Sequence, residues 1–297
     1  MTDSKLTTII RQVDNFPALP ATVNNVLAVT GNPESTARDL MKAILPDQSM
    51  CATIIKIANS AFFGIPHQVS TMERAVVVLG FNEIRNIVLG KAVFTSFQKM
   101  PRQKMEEASL FWEHCFTCGI GAKVIAEDLG YSPSEMFIAG LIHDIGKLAM
   151  LMSFPQEYIL LFELTKPNQY RSILHENEKF TTSHDEIGMR ILKRWLFPET
   201  LVASCGYHHH PEQAPPELRP LAVIVQMADM LSLLYCSPDG LKPADIETLF
   251  IDFLPEFQRT WDDANMPWDP TQIGKWFGML QEQRKRDQAI LDVMMSS

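Results

Sequence analysis

No run of lysine and arginine long enough to coat a nucleic-acid backbone occurs in these 297 residues. The balance is acidic instead, with a formal charge of −9 and a pI near 5.4. A duplex-binding surface needs clustered positive charge to release phosphate counterions, so nucleic acid is not an expected partner. The opening Met1–Lys5 is polar and lacks the charged-then-apolar order of a secretory signal. No apolar run reaches the roughly 18 residues that a membrane-crossing helix needs, and no membrane association is expected. Cysteine is scarce, and five is an odd number in a chain of this length. The set reads as reduced thiols of a cytoplasmic protein. Cys115 and Cys118 form a lone C-x-x-C without a second pair or a histidine box, so they read as two core thiols of one helix. Phosphate-cradling glycine loops are missing too, since Gly80-Phe81-Asn82 holds too few glycines for a nucleotide fingerprint. Strand-like alternation is weak, and neither a solenoid period nor a low-complexity tract appears.

What remains is an ordinary globular composition, 46% hydrophobic and 21% charged, with a length that suits one large domain or two smaller ones. Apolar residues recur at helical spacing almost throughout. Helix starts are legible. Pro20 sits at an expected first helical position, ahead of Val23, Val26 and Leu27. Ser70–Glu73, Ser132–Glu135 and Ser183–Glu186 each fit a capping box. The valine-rich Ala75–Leu79 follows the first of these boxes and is read as helix. Breaks are expected at Gln98–Lys104, which is polar and contains Pro101, at the proline-rich His210–Pro220, and at Ser237–Pro243. The expectation is an all-α, multi-helix bundle with an N-terminal helical lobe over 1–100, a second helical lobe over 101–236, and a helical extension over 237–297 that carries Trp261, Trp268 and Trp276.

Three segments of the first half stand in a distinctive order: Phe16-Pro17-Ala18-Leu19-Pro20, Asn59-Ser60-Ala61-Phe62-Phe63-Gly64 and Ala75-Val76-Val77-Val78-Leu79-Gly80. Residue by residue their reading is structural. Gly64 suits a left-handed turn after a helix, and Asn59 and Ser60 suit the capping of that helix end. Together the segments resemble the opening of the HDOD family, the HD-related output domain. The resemblance continues to about residue 230. One departure is local: Pro46-Asp47 stands where the family usually has Asp-Pro.

The second half carries the chemistry. Phe137–Lys147 is an apolar stretch interrupted by His143-Asp144 and closed by Lys147. A buried carboxylate needs a cation or several donors, and suitable partners recur elsewhere. His114 shares an apolar face with Phe111 and Cys118. His184 opens a helix with Ile187, Ile191 and Trp195 on its face. His208 and His209 close the next helix, and Asp229 sits within the apolar Val223–Leu234. Any one of these histidines alone is more often a satisfied core residue than a ligand, and His175 and His210 are read as such. Imidazoles with carboxylates suit Zn, Mn, Fe or Ni better than Mg or Ca.

The order His, His-Asp, His, His-His, Asp resembles the HD phosphohydrolase superfamily and is most similar to its HD-GYP branch of cyclic dinucleotide phosphodiesterases. Carried over position by position, the resemblance implies His114, His143, Asp144, His184, His208, His209 and Asp229 as ligands of a divalent transition metal. A binuclear Fe or Mn centre is implied first, with Zn or Ni as alternatives. It also implies Asp144 and Lys147 as the catalytic pair of any active member, Lys147 contacting substrate phosphate. Two departures count against HD-GYP-like catalysis: no Gly-Tyr-Pro motif occurs, and Leu110 stands where some such enzymes carry a further Glu ligand. Two functions follow. The first is a regulatory module that binds a signalling protein, its lobe braced by metal. The second is a metal-dependent phosphohydrolase acting on a nucleotide or cyclic dinucleotide. An open path to the cluster would separate them, since catalytic sites keep a coordination position open.

Overall fold

In the computed structural model, residues 2–14, 18–61, 63–97, 105–165, 172–236, 254–267, 269 and 271–295 are described. Every regular element among them is helical. In chain order these are α1 (Thr2–Asp14), α2 (Ala21–Thr30), α3 (Ala37–Ile44), α4 (Gln48–Ala58), α5 (Met72–Phe97), α6 (Met105–Leu129), α7 (Pro133–Ile142), α8 (Ile145–Ser153), α9 (Pro155–Thr165), α10 (Ser172–Phe180), α11 (His184–Arg194), α12 (Glu199–Tyr207), a 3-10 turn (Pro211–Gln213), α13 (Arg219–Tyr235), α14 (Leu254–Asp263), α15 (Thr271–Arg286) and α16 (Gln288–Met295). The expected breaks at 98–104 and 237–243, and Trp268, lie outside the described residues.

The chain divides into two compact units, and neither is one contiguous segment. The first comprises Met1–Phe16 with Met100–Gln281, the second Pro17–Lys99 with Glu282–Ser297. This differs from the linear division expected at residues 100 and 236. The reason is packing between elements far apart in sequence: α1 lies against α8, α10 and α11, and α16 lies against α4 and α5.

In the second unit α5 is the common neighbour of α2, α3, α4 and α16. Its fully buried Ile84 and Val88, with Val23, Leu40, Ile44 and Ile54, build the core. Removing such side chains from water is the main stabilising term here, about 1.5–3 kcal/mol for each one fully buried. Gly80 bends α5 with φ near 79°, a left-handed conformation that side chains with a Cβ resist. Thr36 forms a complete capping box with Asp39 at the start of α3. Asp47, the inverted residue of Pro46-Asp47, caps α4 by accepting from the Met50 amide at 2.9 Å. The turn after α4 is held as its residues imply. Gly64 has φ near 58°, and Asn59 exchanges hydrogen bonds of 2.7 and 2.8 Å with the backbone of Val69.

In the first unit α6 packs on α7 and α13, α12 on α7, α11 and α13, and α8 on α11. Trp261 and Trp276 stack with ring centroids 5.6 Å apart. The Trp276 indole donates to Asp128 at 2.9 Å, tying α15 to α6.

Helix starts shift from expectation in detail. Thr71, rather than Ser70, caps α5 by accepting from Arg74 N at 3.2 Å. Pro20 lies one residue before α2, as its N-cap. Ser132 makes no side-chain cap, and the Glu135 carboxylate accepts instead from the Thr200 hydroxyl at 2.6 Å. Ser183 likewise makes no cap, its hydroxyl donating to the Asp185 carboxylate instead. One stretch among the described residues, Pro133–Ser153, is long and apolar enough by composition to cross a membrane. It is two core helices, α7 and α8, and 83% of its most apolar window is buried inside the fold.

Candidate metal centre

The interruption of the apolar stretch by His143-Asp144 is a physical break. His143 ends α7 and Asp144 opens α8. The pair therefore sits at a corner, where both side chains can face the same space. Glycines let the surrounding helices close on it. A Cβ at Gly140 would meet Cys118 O at 2.8 Å and Gly119 Cα at 2.9 Å, so only glycine lets α7 approach the helix that carries His114. A Cβ at Gly146 would overlap the His184 carbonyl oxygen and stand 2.8 Å from Gly188 N, so only glycine lets α8 meet the start of α11.

All seven expected ligands converge. The two oxygens of Asp144 face different partners. Oδ2 lies 3.4 Å from His114 Nε2 and 3.3 Å from His143 Nε2, while Oδ1 lies 3.1 Å from His184 Nε2 and 3.8 Å from His208 Nε2. Asp229 Oδ1 completes the first group, 3.2 Å from His114 Nε2 and 3.5 Å from His143 Nε2. His209 Nε2 completes the second, 3.0 Å from His184 Nε2.

The far nitrogen of each of four rings is held from outside. Nδ1 of His143 meets Gly140 O at 2.7 Å, and Nδ1 of His208 meets Cys205 O at 2.7 Å. Nδ1 of His184 meets Glu176 Oε2 at 2.7 Å, and Nδ1 of His114 meets Ser232 Oγ at 3.0 Å. A proton on Nδ1 leaves the Nε2 lone pair aimed inward, as metal-ligating imidazoles require. Inward atoms are left over in consequence. Nε2 of His114 and His143, and Oδ1 of Asp144 and Asp229, are buried without a hydrogen-bond partner. Unsatisfied buried polar atoms are costly, and here they are lone pairs converging from several directions. That donor set fits a cation. His184, His208 and His209, and His114, His143 and Asp229, form groups that could each hold a metal ion.

The charges follow from the same crowding. Burial disfavours the Asp144 carboxylate, but His143 and then Lys147 outweigh it and hold its pKa well below the usual range. Burial opposes charge on Asp229 also, and the neighbouring imidazoles of His114 and His143 bring it well below. His143 loses to burial and gains more from Asp144, ending well above an ordinary histidine. His184 is likewise opposed by burial and raised, chiefly by Glu176, to about 9. Burial and the neighbouring His143 charge push His208 down to about 3, and His209 falls well below its ordinary value through burial and His208. Metal binding at such a cluster must expel protons from the imidazoles.

Lys147 turns back on a neighbouring carboxylate, its Nζ 2.6 Å from Asp144 Oδ2. His210 and His175 stay outside the cluster, His210 beside Glu212 at 3.6 Å on the surface and His175 exposed. The thiols of Cys115 and Cys118 are free and buried, as expected of core residues. The sequence reading missed the residues that orient the rings. Glu176 is wholly buried in α10 and also accepts from the His184 amide at 2.8 Å and the Tyr158 hydroxyl at 2.7 Å. Its signal was its place between Ile173 and Phe180 on the one apolar face of that helix. Ser232 sits three residues after Asp229, on the same face of α13.

Corner, convergent imidazoles and bridging carboxylate together define an all-helical protein of the HD type. The HDOD domain model matches residues 16–211, well over half of the chain, and the chain belongs to the HDOD family. An uncharacterised protein of Treponema pallidum (strain Nichols) is 24% identical over 224 residues. The match covers 75% of this chain, which spans only 43% of that relative's length. Among solved structures, a candidate phosphohydrolase of Shewanella amazonensis SB2B superposes with a TM-score of 0.74 at 22% identity, over 97% of this chain and 98% of that one. An HDOD domain protein of unknown function from Geobacter sulfurreducens gives 0.70 at 23% identity, over 99% and 98%. A candidate signal transduction protein of Marinobacter aquaeolei VT8 gives 0.70 at 18% identity, over 99% of this chain and 66% of that one. At these identities the likeness is one of fold.

Proposed function

We propose that this chain is a regulatory module of bacterial signal transduction that acts by binding a signalling protein, with its first unit braced by a divalent transition metal. The observation that carries this reading is closure. His143, Asp144, His184 and His208 have no exposed surface, yet inward atoms of the cluster lack partners. Donors buried on every side but that of His114 and Lys147 favour a structural metal site over an open catalytic one. Asp144, His114, His143 and Asp229 would hold one ion, and Asp144, His184, His208 and His209 a second. Shared imidazoles and carboxylates favour Fe or Mn over Mg or Ca, with Zn and Ni also suited. Ions held there would tie α6, the α7–α8 corner, α11, α12 and α13 into one folding unit.

A second reading, a phosphohydrolase acting on a nucleotide or cyclic dinucleotide, draws support from one feature. The side chains of His114 and Lys147 keep 14% and 17% exposure, so the cluster is not sealed on their side. Bound metal would supply Lewis acidity toward a phosphoryl group, and Lys147 would meet the phosphate charge. Lys147, however, already directs its charge to Asp144, which favours the first reading. The test combines metal analysis of the purified protein, melting before and after chelation, and titration with phosphate and nucleotides of wild type and Lys147→Ala. Bound metal, a lowered melting temperature on chelation and no turnover are expected. Turnover or phosphate affinity that Lys147→Ala abolishes would establish the second reading instead.

A further inference from the structure

A second feature lies wholly in the other unit. Helix α16 is eight residues long, preceded by a break at Asp287 and lying beyond the HDOD match at 16–211. So short a helix is marginal on its own in water, and it is ordered by what it covers. Ile290, Leu291 and Met294 are 2%, 1% and 2% exposed, and the helix rests on α4 and α5. These positions follow the one-sided spacing of an amphipathic helix laid in a groove.

Two observations show that the groove is specific and incompletely filled. Lys91, buried in the middle of α5 at 5% exposure, donates to the Met294 carbonyl at 3.1 Å. The carbonyl end of a helix carries partial negative charge, so the ammonium marks where a seated helix must end. Beside the helix an open cavity of about 590 Å3 remains, lined by Ile55, Lys56, Asn59, Gln68, Ile290 and Val293. Space for further side chains thus remains between α4 and α16.

We propose that the α4/α5 groove is a docking surface for a partner's amphipathic helix, and that α16 is its resident internal ligand, displaced when the partner binds. The partner helix carries an Ile/Leu/Met stripe at the spacing of positions 290, 291 and 294 and ends its carbonyls over Lys91. Lys56 at the edge of the cavity suits an acidic side chain on the partner helix. This names the kind of protein surface the regulatory reading requires, and rests on that reading only for its purpose. The metal centre takes no part in it.

The test uses the full chain with Leu291→Asp and Met294→Asp, which unseats α16 while leaving it attached. The probe is a labelled synthetic peptide of residues 282–295 with the natural sequence. Saturable binding at least about 10-fold tighter to the variant than to wild type is expected, because the attached helix competes at high effective concentration. A peptide carrying the same two substitutions should bind neither protein. Equal binding to wild type and variant, or binding to neither by a variant that keeps its helical dichroism, overturns the proposal. A second measurement stands if the variant does not fold. Hydrogen exchange of the wild-type chain should release amides of 288–295 at least about 10-fold faster than those of 84–94 in α5. Exchange at matched rates would make α16 an integral part of the unit and overturn its role as a displaceable ligand.

Discussion

Replacing Glu176 with Gln isolates the contribution of a residue that touches no metal in the reading above, yet governs one that would. The Glu176 carboxylate accepts three hydrogen bonds, from His184 Nδ1 at 2.7 Å, His184 N at 2.8 Å and the Tyr158 hydroxyl at 2.7 Å. Glutamine keeps the shape but offers one acceptor oxygen. With that oxygen toward His184, its NH2 faces the Tyr158 oxygen, which can accept, so the network survives as neutral bonds. Bonds to a charged group contribute about 1.5–3 kcal/mol against about 0.5–1.5 for neutral ones. The two to His184 should therefore lose roughly 2 kcal/mol between them. Part of that loss reaches the metal, because the carboxylate fixes the tautomer and raises the basicity of Nε2. Affinity should fall about 10- to 100-fold, the usual effect of removing a partner behind a ligating histidine. The assay is competition against a chelator of known affinity at fixed pH, with the melting temperature followed in parallel. Unchanged metal affinity beside a lowered melting temperature would refute the reasoning, leaving Glu176 as a buried brace with no influence on the centre.

Gly146→Ala should separate α8 from α11, since its Cβ has no room beside the backbone of His184 and Gly188. A loss of about 1–3 kcal/mol or more is expected from overpacking, seen as a fall in melting temperature of about 2–4 °C per kcal/mol, with metal content reduced as well. Asp144→Ala removes the carboxylate both ligand groups share and strands Lys147. Metal should be lost and stability should drop by roughly 3–5 kcal/mol, and retention of both metal and melting temperature would contradict the shared-carboxylate geometry. Asp128 is held below its ordinary value first by the hydrogen bond from Lys275 and then by that from Trp276. Its contribution is thus complete above the unfolded value of 3.8 and fades as the pH falls toward the lower folded value. Asp128→Asn should flatten the acid limb of stability against pH, measured by denaturant unfolding between pH 5 and about pH 2.

The helices and the seven cluster residues were legible because each leaves a local mark. A charged His-Asp pair inside Phe137–Lys147 conflicts with the apolar stretch around it, and that conflict has meaning only if partners exist elsewhere. His114, His184 and Asp229 each stood on a visible apolar face. What stayed hidden depends on contacts made across long stretches of chain. Glu176 sits in a helix rich in charge, and its place on the one apolar face there gains meaning only beside Tyr158 and His184. The caps expected at Ser132 and Ser183 do not form, and the Glu135 carboxylate instead meets Thr200, 65 residues away, which no four-residue window contains. The grouping of α1 with residues 100–281 and of α16 with 17–99 is packing at long range, which periodicity does not encode.

The hydrogen bond from Lys91 to Met294 joins residues 203 positions apart. A ribosome adding about 5–20 residues per second completes α5 roughly 10–40 s before α16 emerges. Throughout that interval the α4/α5 groove is apolar, charged at Lys91 and uncovered. The order of synthesis therefore leaves this apolar surface of the nascent chain without the helix that covers it in the folded protein.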